Sequence, residues 1–169
     1  MSVVKKIQDL FLQPLLSSVF GKKFQVEFSD PDTTSDAGTL LLREVEQQTK
    51  IIENASHAII DRRNPSYIKH TRREMVAQRV MQIACGYEDA NDCDTLNNDP
   101  AYKIAAGREV SSSPLASQPT MSRLENNVSR TDLMRMAYAL GKNFLNGFST
   151  EPNCIIIDMD PTINKTNLR

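Results

Sequence analysis

Residues 129–148, SRTDLMRMAYALGKNFLNGF, decide the fold class of this chain. Apolar side chains recur in this stretch every three or four positions, which is the spacing of one face of an α-helix. Ser129 is placed to cap the start of the helix, Asp132 suits its first turn, and Gly147 and Pro152 end it. The stretch therefore predicts one long amphipathic helix, whose apolar stripe is Leu133, Met136, Ala137, Leu140, Phe144 and Phe148.

Three earlier stretches have the same helical spacing. Residues 39–60 predict a helix with a weak centre at Gln48 and Thr49, and its apolar positions are Leu41, Val45, Ile52, Ala55 and Ile59. Residues 66–85 predict a second helix, on the stripe Met75, Val76, Val80, Ile83 and Ala84. A further helix begins after a cap at Ser117, with Met121, Leu124 and Val128 facing inward.

Short helices and turns are predicted between these stretches, over residues 87–108. Asp99 can cap a helix and Pro100 suits its first position, while Gly107 is a plausible end. The chain as a whole therefore predicts a mainly α fold.

Two segments near the ends of the chain predict strands. Residues 23–28, KFQVEF, alternate polar and apolar side chains, and the turn-rich connector SDPDTTSDAG follows at residues 29–38. Residues 154–157, CIII, form an apolar run that leads into Asp158 and Asp160. Such a run is typical of a strand covered on both faces, and alternation along it would point both carboxylates the same way. Carboxylates at this position can hold Mg²⁺, although an ordinary acidic turn gives the same pattern.

Composition excludes several classes of protein. Hydrophobic residues make up 40% of the 169 residues and charged residues 24%, which is typical of a globular protein. No apolar run approaches the roughly 18 to 20 residues of a membrane span, and the amino-terminal apolar patch has no clear signal-peptide cleavage site. Three cysteines without a CxxC pair argue against a disulfide framework or a zinc site. We therefore expect a cytoplasmic protein that does not enter the membrane.

Charge is unevenly distributed, although the formal net charge is only −1. Residues 61–79 are mainly basic, and residues 88–99 hold five carboxylates and no basic residue. Two interpretations remain open: the two blocks are solvated faces that stabilise each other, or the basic block contacts phosphates. The candidate phosphate contacts are Arg62, Arg63, Lys69, Arg72 and Arg73.

A second candidate nucleic-acid contact lies on the outward face of the helix after Ser117. Arginine can read guanine, asparagine and glutamine can read adenine, and serine can hold phosphate. A short helix packed on another helix also has the geometry of a helix-turn-helix reader, while an ordinary polar face is the alternative. The candidate side chains are Gln118, Ser122, Arg123 and Asn126.

Taken in order, four stretches resemble the amino-terminal half of the group-1 DDE transposases of bacterial insertion sequences. They are LLLREVEQ at 40–47, residues 61–108 from DRRNPSYIKH to KIAAGR, LASQPTMSRLEN at 115–126, and IIIDMDPT at 155–162. The resemblance implies an RNase H-like domain in which three acidic residues hold Mg²⁺ while DNA strands are cut and joined. It also implies that the preceding helical region handles double-stranded transposon ends.

Carried onto this sequence, the resemblance makes Asp160 the first catalytic aspartate and metal ligand, with Asp158 as second choice. Related sequences tend to continue with an acidic pair and Pro-Thr-His-Gly, whereas residues 163–168 here read INKTNL. The second aspartate and the glutamate have no counterpart. We therefore expect a truncated copy that does not catalyse transposition alone.

The predicted organisation has three parts. Residues 1–38 form a lead-in with a short strand, residues 39–150 a helical DNA-binding and assembly region, and residues 151–169 the first strand of an incomplete RNase H-like α/β domain. The predicted function is DNA binding in transposition. The alternatives are a stand-alone fragment that represses intact transposase by binding DNA or pairing with it or itself, an inactive remnant, and an unrelated helical interaction protein.

Overall fold

The computed structural model describes residues 16–19, 21, 33–150 and 152–156, and this part of the chain is mainly helical. The helices are α1 (Thr39–Thr49), α2 (Ile51–Ala58), α3 (Arg72–Ala84), α4 (Asp92–Leu96), α5 (Pro100–Ala106), α6 (Gln118–Asn127) and α7 (Arg130–Asn146), with a 3₁₀ turn at Pro65–Tyr67. The described residues include no strand. The predicted mainly α class is therefore confirmed for this part of the chain.

The predicted strands are not confirmed. Residues 23–28 lie outside the described residues, as do Asp158 and Asp160. Residues 154–156 are described and have no regular secondary structure, and the side chain of Ile156 is 91% exposed. The structure therefore gives no support to an RNase H-like strand at 154–156.

The helix predicted over residues 39–60 is two helices, separated at Lys50. Lys50 has φ 57° in the left-handed region and ends α1, since its amide donates to the carbonyl oxygen of Glu46 at 2.8 Å. The Glu46 carboxylate then accepts hydrogen bonds from the amides of Ile52 and Glu53, at 2.7 and 3.0 Å. One buried side chain thus satisfies amides at the start of α2 that have no partner within the helix.

The predicted apolar stripe of this region is correct only for α2. Ile52, Ala55 and Ile59 are buried, whereas Leu41 and Val45 on α1 are exposed. α1 instead buries Thr39, Leu40, Arg43 and Glu46. The expectation for α1 was wrong because polar side chains with specific hydrogen bonds occupy its inner face.

Helix α3 begins later than predicted and has a different buried face. A capping box fixes its start: Thr71 Oγ1 accepts from the Glu74 amide at 3.1 Å, and the Glu74 carboxylate accepts from the Thr71 amide at 2.8 Å. Val80 and Ile83, which the pattern placed inward, are exposed. The buried face holds two glutamines instead and consists of Met75, Val76, Ala77, Gln78, Met81 and Gln82.

The core lies where α3 packs against α2 and α5. Met81, Tyr102 and Ala106 are among its most deeply buried residues, together with Ile52 and Ile59 from the α2 side. A second cluster joins α3 to α4 and α6 through Met75, Cys93, Ala116 and Met121. α3 is therefore the central helix, and both sides of the candidate site are mounted on it.

Helix α7 has the predicted capping residues but an exposed apolar stripe. Ser129 and Asp132 form a capping box, as the sequence indicates. Leu133 and Phe144 nevertheless remain 55% and 54% exposed, and Leu140 and Phe148 are also exposed. Of the predicted stripe, Met136 packs against the core. None of the described helices is both long and apolar enough to cross a bilayer.

Candidate nucleic-acid interface

A cleft of about 1080 Å³ lies between the segment that precedes α3 and the outer face of α6. One wall comes from residues 59–72, which hold the basic block predicted from the sequence. The other wall comes from residues 113–127. Five cations and one carboxylate line the cleft: Arg62, Arg63, Lys69, Arg72, Arg123 and Asp61.

Asp61 fixes two of these arginines at the wall. Its carboxylate accepts two hydrogen bonds from Arg63, from Nε at 2.8 Å and from Nη2 at 2.7 Å. Arg72 Nε lies 3.7 Å from the same carboxylate. These hydrogen bonds and charges lower the pKa of Asp61 from its ordinary value of 3.8 to about 2, the side-chain bond from Arg63 being the largest cause. Arg63 and Arg72 are therefore partly neutralised within the protein.

Asp132 holds the same wall against α7. The amide of Ile60 donates to Asp132 Oδ1 at 3.2 Å, and Arg135 on the next turn of α7 also donates to this oxygen. Ser129 Oγ donates to Oδ2 at 2.5 Å and, with the Ser129 amide, is the main reason that the pKa of Asp132 lies far below its usual range. Arg62 Nη1 approaches Oδ2 only to 3.9 Å, and its side chain is 59% exposed. This carboxylate thus fixes the backbone beside Arg62 while leaving most of the guanidinium accessible.

Lys69 and Arg123 are the most available cations of the cleft. Both are exposed, and neither forms an ion pair within the part of the chain that the structure describes. They come from opposite walls, Lys69 from the segment before α3 and Arg123 from α6. An anion in the cleft would therefore meet uncompensated positive charge from both sides.

A buried amide pair sets the position of the α6 wall. Gln78 Nε2 donates to the Ala116 carbonyl oxygen at 2.9 Å, and the Ala116 amide donates back to Gln78 Oε1 at 3.0 Å. Gln78 is 1% exposed. Its side chain therefore binds the backbone just before α6 as a neighbouring strand would, and this fixes where α6 starts relative to α3.

The loop beside the cleft is joined to the basic wall by Arg108. Its Nη2 donates to Ser113 Oγ at 2.6 Å, and its Nη1 lies 3.2 Å from His70 Nδ1. Burial, together with the charge of Arg108, lowers the pKa of His70. His70 is therefore neutral near pH 7 and adds no charge to the wall.

Of the residues predicted to contact DNA, five line the cleft and four do not. Arg62, Arg63, Lys69, Arg72 and Arg123 line it. Arg73 points elsewhere, with its guanidinium beside Gly107. Gln118, Ser122 and Asn126 also lie outside the cleft: Gln118 Nε2 donates to Ser122 Oγ at 3.0 Å, and the Gln118 amide donates to Asp94 at 2.9 Å. Base reading by these three residues stays a prediction.

The sequence argument missed two features of the cleft. Tyr67 lines it with a side chain that is 82% exposed. Its signal was its place in the Asn-Pro-Ser-Tyr turn within the basic block. Asp61 was counted only as a minor charge, since the Asp-x-Arg pair that organises the wall is visible only in three dimensions.

The expected magnesium site cannot be assessed from the described residues. They contain no group of three or more His, Cys, Asp or Glu side chains that could hold a metal ion. Asp160 and Asp158, the ligands implied by the resemblance, lie outside the described residues. No step of the chemistry is therefore derived through a metal.

Comparison with protein families gives one match that spans almost the whole chain. The sequence model described as "Transposase DDE domain group 1" matches residues 16–167. The chain belongs to this transposase family. DDE transposases act in transposition and DNA recombination, have DNA as their partner, and generally use a divalent metal.

The family assignment rests on this match. No curated protein and no solved structure matches the chain. The resemblance inferred from the four sequence stretches is confirmed, and the match includes both walls of the cleft.

Proposed function

We propose that the helical body of this DDE transposase chain binds double-stranded DNA during transposition, and that the cleft between residues 59–72 and 113–127 is the contact surface. The observation that carries the proposal is the convergence of two basic segments on one cleft. The whole of α4 and α5 separates these segments in sequence.

The electrostatics of the cleft favour an anionic partner. The chain has a net charge of −1, yet the cleft wall holds five cations against one carboxylate. A concave surface of one sign focuses the potential and attracts counter-charged partners. Because Arg63 and Arg72 already bind Asp61, the cations that remain for phosphate are Arg62, Lys69 and Arg123.

Phosphate contacts position a protein on DNA but carry no sequence information. Recognition of a particular transposon end would therefore fall to other side chains, and the proposal keeps Gln118, Ser122 and Asn126 for this role. Gln118 and Ser122 would have to exchange their mutual hydrogen bond for bonds to base edges. Asn126 is exposed.

The catalytic part of the proposal rests on family resemblance alone. Asp160, with Asp158 as second choice, would hold Mg²⁺ through carboxylate oxygens, the ligands that this ion prefers. In DDE transposases the metal supplies activation of the attacking oxygen and stabilisation of the leaving oxygen.

The test is the salt dependence of DNA binding by the whole chain. Fluorescence anisotropy of a labelled duplex would be measured between about 50 and 200 mM salt. Three phosphate contacts predict a slope of about −3 for log K against log salt. Binding that does not weaken with salt, or no binding at the lowest salt, would refute the proposal. The first of these outcomes would favour a protein-interaction module instead.

A further inference from the structure

The shape and lining of the cleft differ from those of a surface that contacts only a duplex backbone. Its floor is apolar and includes Ile59, Met75 and Leu115, with Leu124 on the α6 side. Phosphates gain nothing from an apolar floor, whereas the face of a base does. A volume of about 1080 Å³ also suits an inserted group, because small-molecule sites typically enclose roughly 300 to 1,000 Å³.

Tyr67 stands in this cleft with its ring almost fully accessible. The 3₁₀ turn Pro65–Tyr67 fixes its backbone: the Ser66 amide donates to Asn64 Oδ1 at 3.1 Å and the Tyr67 amide to the Asn64 carbonyl oxygen at 3.0 Å. The ring is therefore presented on a short, constrained turn, although it buries little area within the protein. Aromatic rings presented in this way beside cations bind unpaired bases by stacking.

Cations lie next to both the ring and the floor. Lys69 follows Tyr67 by two residues, and Arg123 projects from the opposite wall. A nucleotide whose base lies on the floor or on Tyr67 would have its phosphates within the same cationic cleft. The three requirements of a nucleotide site, which are an apolar surface, an aromatic ring and unpaired positive charge, thus coincide here.

We infer that the cleft binds an unpaired nucleotide of the DNA, with its base against Tyr67 and the apolar floor and its phosphates at Lys69 and Arg123. This inference rests on the proposed DNA-binding function and names the form of DNA that the cleft takes. A fully paired duplex would bind through its backbone alone, so DNA with unpaired bases is the better ligand.

The test compares two labelled DNAs of equal length and charge, about 20 base pairs long. One is fully paired, and the other has three mismatched pairs in its centre. With the whole chain we expect the mismatched DNA to bind about tenfold more tightly, since stacking of a base is worth roughly this much or more. Tyr67→Ala should abolish the preference and leave binding to the paired duplex unchanged. Tyr67→Phe should retain it.

Tyr138→Ala is the matched control, because Tyr138 is similarly exposed but lies on α7 outside the cleft. It should leave the preference intact. Salt-dependent binding of both DNAs without a preference, or a preference that survives Tyr67→Ala, would overturn the inference and leave the proposed function standing. Failure of both DNAs to bind would overturn both. Equal competition by free thymidine monophosphate would show a mononucleotide pocket and overturn the DNA assignment.

Discussion

Asp132 and Ile60 are joined by a hydrogen bond across 72 residues of sequence, with the Ile60 amide donating to Asp132 Oδ1 at 3.2 Å. The same carboxylate caps α7 through Ser129 and binds Arg135. The first turn of α7 therefore holds the wall of the cleft that begins at Ile59.

Replacing Asp132 with asparagine should destabilise the protein. Asp132→Asn removes the charge at the start of α7 and turns one accepting oxygen into a donor, which leaves the amide or hydroxyl of Ser129, or the amide of Ile60, without an acceptor. We expect the thermal midpoint to fall by several degrees in calorimetry. Glu88→Gln makes the same chemical change at an exposed site and should leave the midpoint unaltered. Equal midpoints for Asp132→Asn and the parent would show that the network contributes nothing.

The buried amide pair between Gln78 and Ala116 gives a second prediction. Gln78→Leu keeps the side-chain volume but leaves a buried amide and a buried carbonyl oxygen of Ala116 without partners. Each such group costs about 1–3 kcal/mol, so the free energy of unfolding in urea should fall by about 3 kcal/mol. The exposed Gln48→Leu should change it by less than about 0.5 kcal/mol. A neutral Gln78→Leu would mean that α6 is positioned by apolar packing alone.

Acid should act on the cleft wall through Asp61. The pKa of this carboxyl is about 2 in the folded protein against an ordinary 3.8. A lowered folded pKa means that the stabilisation is complete above pH 3.8 and is lost as the pH falls towards 2. We expect the stability difference between the parent and Asp61→Asn to shrink over this interval, as measured by urea unfolding at each pH. A difference independent of pH from 5 down to about 2 would contradict the assignment of Arg63 as the partner of Asp61.

Helix ends were the part of the fold that the sequence predicted well. Asp99, Pro100 and Gly107 bound α5, and Ser129 begins α7, as their capping chemistry indicates. Local signals suffice there because a cap is decided by residues within one turn of it.

Buried faces were predicted poorly, because the pattern treats every polar side chain as exposed. Glu46, Gln78 and Gln82 are buried, and each replaces an apolar residue that the periodicity would require. Lys50 adopts a left-handed conformation without the glycine that usually marks one. On α7 the spacing was correct, yet the described part of the chain covers little of the stripe.

The candidate site was predicted as two separate charge patterns. The sequence identified the cations of each wall, since their composition alone is distinctive. It could not show that Arg123 faces the basic block while Gln118 faces away, because that depends on how the Gln78 amide pair sets α6. Tyr67 carries no sequence pattern of its own.

The most direct test of the DNA-binding cleft compares two double variants of identical composition. Lys69→Ala with Arg123→Ala removes one lysine and one arginine from the cleft, and Arg73→Ala with Lys142→Ala removes the same two residue types from outside it. The measurement is the salt dependence of duplex binding by anisotropy. We expect the cleft variant to lose about two units of the slope and at least tenfold in affinity, and the outside variant to match the parent. Equal losses in both variants would show that DNA responds to overall charge, and would contradict a binding site in this cleft.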